Sequence, residues 1–309
     1  MSRWFKILVD AGKAWNADNA FKHSAAVSFY TLFSLAPVTI IAVGVAGMFF
    51  GKEVATKQFS DQMTQLVGKT SAELIQKTVE ANAVHDGGWV STVMGAILLI
   101  VGATTVFGQL QGSLNEVWGV TSMPSRSGWV VMIVQRLISF AMVITVGFLL
   151  LTSLVLSTAL SAAVTVAQGY TPVPPTVLHA ADLGIGLAII TVLFALLFKV
   201  LPDVHVRWFE TWLGAFVTAM LFTLGRFVIA LYLGHSTIAS SYGAASSLVA
   251  LLIWIYYSCA ILFYGAEFIR AYRLNRGETV QPKKTAVLVK REIVKLPDGK
   301  EQVTEHPKT

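Results

Sequence analysis

Six stretches of the chain stay apolar for about the length a lipid bilayer demands: residues 26–50, 89–110, 137–168, 180–200, 209–233 and 247–268. A hydrocarbon core about 30 Å thick takes roughly 20 helical residues, and each stretch reaches that length with few charges inside it. The runs lack the alternation of barrel strands, and in lipid a helix pairs every backbone N–H and C=O within its own segment. The pattern therefore predicts an all-α fold, a polytopic membrane bundle of six transmembrane helices. The run at 137–168 is longer than a perpendicular crossing needs, so it should tilt strongly or project beyond the bilayer.

Between the first two spans, residues 51–88 carry Phe59, Met63, Leu66, Val67, Leu74, Ile75 and Val79 near helical spacing among charges. That spacing predicts an amphipathic periplasmic segment, one or two helices lying on the outer bilayer surface or over the bundle. It would serve as a cap on the bundle or as a substrate gate. Residues 1–25 read as a cytoplasmic N-terminal segment, 26–270 as the membrane domain, and 271–309 as a polar, flexible cytoplasmic tail containing Pro282, Pro297 and a Pro-Asp-Gly turn.

Lys and Arg set the orientation. Eighteen lie in the N-terminal segment, the second and fourth loops and the region from Arg270 onward, against four on the opposite side, all in the first loop. Both termini are thus expected in the cytoplasm of a bacterial cell, with the chain in the inner membrane. The first apolar run begins only near Ala25, after Asp10 and Asp18, and exceeds a signal-peptide core of about 7–15 residues, so it is expected to remain in the mature protein.

Composition agrees: 55% of the 309 residues are hydrophobic and 13% charged, against about 25% charged in soluble domains, and the mean hydropathy is +0.66. The net charge of +6 sits at span ends, where topology requires it, so no nucleic-acid partner is expected. Cys259, the single cysteine, lies inside an apolar run, which leaves no disulfide framework and no cysteine-based metal site.

A charge inside a span costs about 2.5–3.5 kcal/mol at mid-membrane, so each one needs a partner, water or a route to the surface. Arg226 lies some 17 residues into the fifth span, roughly 25 Å across. Asp182, at the outer end of the fourth span, has nearly the same depth, which predicts a pair or shared polar site facing an anionic ligand. Snorkelling to the outer headgroups, or locking two helices together, would also explain Arg226. Pro37 breaks the first span beside Ser28, Tyr30, Thr31 and Ser34, and the carbonyl it frees is open to water or ligand. Arg226, Asp182, Ser34, Pro37 and Tyr30 make up the candidate ligand site.

After the second span Gln109, Gln111, Asn115 and Glu116 lead to Trp118, and Asn115 and Glu116 are expected to clamp cytoplasmic arginines such as Arg136. Gly44, Gly47, Gly184, Gly186, Gly214 and Gly225 would let helices approach closely. Trp89, Trp129, Trp208 and Trp212 suit interfacial anchoring. The six histidines are scattered without metal-ligand spacing, and neither a phosphate-binding GxxxxGK[ST] nor a GxSxG elbow occurs. No metal, no cofactor, no ATP coupling and no enzymatic activity are expected.

The stretches SAAVSFYTLFSLAPVTI, SLNEVWGV, LPDVHVRW and YGAASSLVALLIWIYYSCAILFYGAEF resemble the YihY/BrkB family of bacterial membrane proteins over residues 20–275. Tyr242, Gly243, Trp254, Tyr256, Gly265, Ala266 and Glu267 carry the most specific part, with Asn115 and Trp118 in the second stretch. The resemblance implies a six-span inner-membrane protein; members carry an old ribonuclease BN label, and some are named virulence or serum-resistance factors. RNA cleavage would need a cytoplasmic metal cluster or an acid and base pair in a basic groove, for which these short loops leave no room. The expected activity is ATP-independent transport, or facilitated movement of lipid or envelope components. A scaffold that binds envelope partners is the alternative. The expected partners are the bilayer and an anionic lipid or envelope precursor, with association into homo-oligomers left open.

Overall fold

The computed structural model describes residues 3–34, 89–122, 175–235, 246–295 and 301–307, with isolated positions 51, 56, 60, 64, 137, 141 and 145. The expectations for the amphipathic loop, the long third run, Pro37, Gly44, Gly47, Trp129, Arg136, Tyr242 and Gly243 lie outside these residues, as does the side chain of Asp182.

The chain opens with helix α1 (Arg3–Ala17), an element the hydropathy runs do not announce. Its signal is local: Trp4, Ile7, Leu8, Ala11 and Trp15 recur every three or four residues, while Lys6, Asp10 and Lys13 fill the other side. Ile7 and Ala11 are buried against Phe268, Ala271 and Tyr272. A turn follows in which Asn19 takes a positive φ of 53°, a conformation that asparagine tolerates better than most residues. Its carbonyl accepts bonds from the N–H groups of Lys22 and His23, starting helix α2 (20–34).

Helices α3 (Trp89–Val117), α4 (Pro175–Val200), α5 (Trp208–His235) and α6 (Ser246–Leu274) follow. Three of them contain segments long and apolar enough to cross a membrane: Leu183–Val200, Trp208–Ile229 and Leu248–Leu274. On α5, Phe216, Met220, Leu224, Phe227 and Val228 form an exposed apolar stripe, while Ala215 and Ala219 are buried on the opposite side. A helix apolar on both faces suits lipid outside and protein inside.

Small residues set the α5–α6 seam. A β-carbon added at Gly265 would stand 1.9 Å from Thr218 Oγ1 and 2.8 Å from Phe198, and one at Gly225 would meet the Tyr257 ring. Gly214 lies against Ile269 in the same way. Among the described residues Gly184 and Gly186 have no neighbour within 4 Å of an added β-carbon, so the expected close approach is seen for Gly214 and Gly225.

Two helices run on by a turn or more past the C-terminal ends of the apolar stretches that predicted them. Beyond residue 110, α3 carries its polar run for two more turns and stops where Trp118 N–H bonds Leu114 O (3.0 Å) and Gly119, at φ +64°, bonds Glu116 O (2.9 Å), a left-handed cap suited to glycine. Helix α6 continues past residue 268 because its late charges find partners, and it ends before Gly277, at φ +76°. The chain beyond differs from the expected flexible tail. Strand β1 (Val120–Ser122) pairs antiparallel with β2 (Ala286–Lys295), Val120 opposite Leu288, and β2 pairs with β3 (Glu301–Pro307). Val204 bridges to Pro282.

Candidate functional site

The polar groups converge on one end of the bundle, where α3 and α6 finish, α4 turns into α5, and α1 begins. Asn115 and Asp203 form a two-point lock: Asn115 Nδ2 donates to Asp203 Oδ2 (2.9 Å) and Asp203 N–H donates to Asn115 Oδ1 (2.8 Å). Gln111 Nε2 adds a bond to the same carboxylate (3.3 Å). Gln111, one turn before Asn115 on α3, reaches the 201–207 loop from the same helix face. Asp203 O accepts from Lys283 N–H, and Gln281 O from His205 N–H, each at 2.8 Å. The Lys283 ammonium donates to Pro202 O (2.7 Å) and Val200 O (3.3 Å), free carbonyls after the end of α4. Burial pushes its pKa below the ordinary lysine value, with Asp203 opposing and Lys199 adding to the shift.

Arg270 ties three segments together. Its Nη1 donates to Asp18 Oδ2 and to Val117 O, both at 2.7 Å, and stands 3.5 Å from Glu267 Oε2. The first chain turn, the end of α3 and α6 thereby meet at one guanidinium. One turn on, Arg273 and Glu210 form an ion pair at 3.5 Å, with side-chain exposures of 4% and 2%. Arg273 Nη1 also donates to His205 O (2.6 Å). Glu210 is the third residue of α5, and its Oε2 accepts from Arg207 N–H (3.3 Å), the carboxylate half of a capping box. Glu278 pairs with Arg207 at 3.0 Å and Arg276 at 3.7 Å. His23 Nε2 stands 3.1 Å from Glu116 Oε2. Glu210 Oε1, Glu267 Oε1 and Trp118 Nε1 are buried with no hydrogen-bond partner among the described residues. No group of three His, Cys, Asp or Glu able to hold a metal occurs among them either.

The sequence model of the virulence factor BrkB family matches residues 11–288, which takes in α2 to α6 and the second half of α1. The chain belongs to that family. Among similar proteins, a UPF0761 membrane protein of Alkalilimnicola ehrlichii is 24% identical over 87% of this chain and 59% of its own. One of Stenotrophomonas maltophilia is 26% identical over 85% and 60%. A third, of Verminephrobacter eiseniae, is 28% identical over 82% and 58%. The chain thus spans about 60% of the length of these curated relatives. No solved structure matches.

In this BrkB-family protein the motif residues cluster in the bundle. Asn115 holds Asp203, Trp118 is fully buried, Gly265 admits Thr218, and Glu267 stands beside Arg270. Trp254 packs edge-on against Phe222 (5.4 Å), and Tyr256 stacks with Phe21 (6.2 Å). Among the described residues Asn115 bonds Asp203 and Glu116 pairs with His23, while Arg136 of the expected clamp lies outside them.

The candidate ligand site lies elsewhere. Arg226 is half-buried on α5, its guanidinium 5.4 Å from the Phe227 ring, and makes no ion pair among the described residues. Tyr30 is exposed and Ser34 buried. Ser28 and Thr31 donate to Ala25 O (2.9 Å) and Val27 O (2.7 Å) of their own helix, leaving them less available to a ligand. Sequence reading does not single out Asp18, Asp203, Glu210, Arg270 and Arg273, because arginines flanking spans count toward topology and flanking acids enter neither that count nor the charges inside spans. The signal was available: Glu267, Arg270 and Arg273 repeat every three residues on an otherwise apolar helix.

Proposed function

We propose that the protein is a six-span transporter of the bacterial inner membrane, or a facilitator of lipid or envelope-component movement, that works without ATP and keeps both termini in the cytoplasm. The observation that carries this reading is the contrast between two sets of charges. At one end the acids and arginines are joined in shared ion pairs. About 24 Å beyond Glu210 along α5, at 1.5 Å per residue, Arg226 stands half-buried with no acidic partner among the described residues. A cation held at depth is costly unless water or an anion reaches it, and an anionic headgroup in transit meets that need. The even number of crossings is supported by Arg3 reaching Asn275 O (3.5 Å), which places the start of the chain beside the end of α6. That end also holds the excess of Lys and Arg, the mark of a cytoplasmic face.

The experiment is phospholipid movement between leaflets of reconstituted vesicles, without nucleotide, for wild type, Arg226→Ala and Asp182→Ala. The expected result is faster exchange than in protein-free vesicles, lost in Arg226→Ala while insertion and thermal stability stay near wild type. The scaffold reading is favoured by the interlocked end and the tight α5–α6 seam. It would be upheld if wild-type vesicles exchanged no faster than empty ones.

A further inference from the structure

Where α1 begins alongside the end of α6, a cleft of about 460 Å³ is lined by Arg3, Trp4, Ile7, Tyr272 and Arg276. Its size falls within the range of about 300–1,000 Å³ common for small-ligand sites. Trp4 and Tyr272 stack with centroids 5.9 Å apart and planes at 18°, and Arg276 lies over the Tyr272 ring (5.6 Å) while donating to its hydroxyl (3.1 Å). Arg3, on the other wall, has a single long bond to Asn275 O (3.5 Å). Of the nearby acids, Asp10 accepts from Asn275 (3.4 Å), and Glu278 is spread over Arg207 (3.0 Å), Arg276 (3.7 Å) and Arg273 (4.0 Å), so Arg276 has only a share of one carboxylate.

Depth gives the cleft its meaning. The apolar run on α6 ends near residue 268, and Tyr272 and Arg276 follow four and eight residues on, about 6 and 12 Å further at 1.5 Å per residue, so the cleft sits at headgroup level, where tryptophan and tyrosine concentrate. Beside it Trp4, Phe5 and Leu8 are exposed on α1, and Tyr264 OH donates to Leu8 O (3.2 Å), which sets Leu8 level with the apolar run of α6. Two guanidiniums aimed at headgroup depth, with aromatic rings between them and hydrocarbon-loving side chains on the membrane side, complement one ligand chemistry: a phosphodiester that carries acyl chains.

We propose that the cleft between α1 and the end of α6 binds the headgroup of an anionic phospholipid, its phosphate held by Arg3 and Arg276 and its acyl chains lying along Phe5 and Leu8. This site is separate from Arg226 and does not rest on the transport reading.

The test is native mass spectrometry of the full chain in detergent, titrated with phosphatidylglycerol or phosphatidylcholine. Wild type should retain phosphatidylglycerol in preference to phosphatidylcholine, and R3A/R276A should weaken that retention about tenfold or more, each arginine near a membrane surface having an effect of that order. K6A/K13A, which removes two exposed lysines of α1 outside the cleft, should bind as wild type does. Equal binding by R3A/R276A, equal retention of phosphatidylcholine, or an equal loss in K6A/K13A would overturn the proposal. So would displacement of the lipid by millimolar inorganic phosphate, which would mark a free-anion site. Should R3A/R276A not purify as a monodisperse species, Arg3→Gln and Trp4→Ala carry the same comparison, since both residues are exposed.

Discussion

Arg273 and Glu210 show what a buried ion pair does at the end of a membrane bundle. Removing two charges from water is costly, and the pair is held because Arg273 also binds His205 O while Glu210 caps α5. Arg273→Ala strands a carboxylate, and the expected loss is about 3–5 kcal/mol, read as a lower melting temperature in detergent. Replacing both partners with Met and Leu should recover most of that loss. If the single variant melts like wild type, the pair is not holding this end together. Lys283 gives a pH signature of known sign. Its folded pKa lies below the ordinary 10.5, so just below that pH the unfolded chain binds the proton more readily than the folded one. Stability should therefore rise with pH through this window. Melting curves should show that slope in wild type and lose it in Lys283→Met.

Among elements, the α5–α6 seam is the most sensitive to side-chain volume. Gly265→Val would drive a branched side chain into Thr218 and Phe198, an overpacking expected to cost about 1–3 kcal/mol. Gly186→Ala meets nothing within 4 Å and should melt as wild type does, and equal effects of the two would contradict the seam. The helices of this seam were legible in the sequence, because 20-residue apolar runs have few alternatives in lipid. The described α4, α5 and α6 contain the runs that predicted them. Their ends were not legible, since hydropathy stops at the first charge whereas a helix stops where its carbonyls and charges lose their partners. Helix α3 therefore continues to Val117 and α6 to Leu274. Helix α1 was hidden for a related reason: its short apolar stripe is diluted by lysines, and only its spacing reveals it. The 286–295 strand was missed although one partner, Glu301–Pro307, follows it closely; only its pairing with Val120–Ser122 is remote in sequence.

For the whole molecule, the organising feature is a polar end fastened from five directions: by α1, by the ends of α3 and α6, by the α4–α5 loop, and by the chain after Gly277. The sequence located Asn115, Trp118 and Glu267 within it but not Asp203 and Arg270, which acquire meaning only when the fold brings Asp203 to Asn115 across 88 residues and Arg270 to Val117 O across 153. Arg226 was legible as an expensive charge, and among the described residues it has no acidic partner. The reading as a whole depends on this fastened end lying in the cytoplasm with the helices crossing the bilayer above it. Membrane-impermeant maleimide labelling of intact cells tests that directly, using single cysteines in a chain whose buried Cys259 is replaced by alanine. His235→Cys, at the far end of α5, should label from outside, whereas Lys13→Cys and Lys284→Cys should label only once the membrane is opened. Labelling of the two lysine positions in intact cells, with His235→Cys protected, would contradict the arrangement.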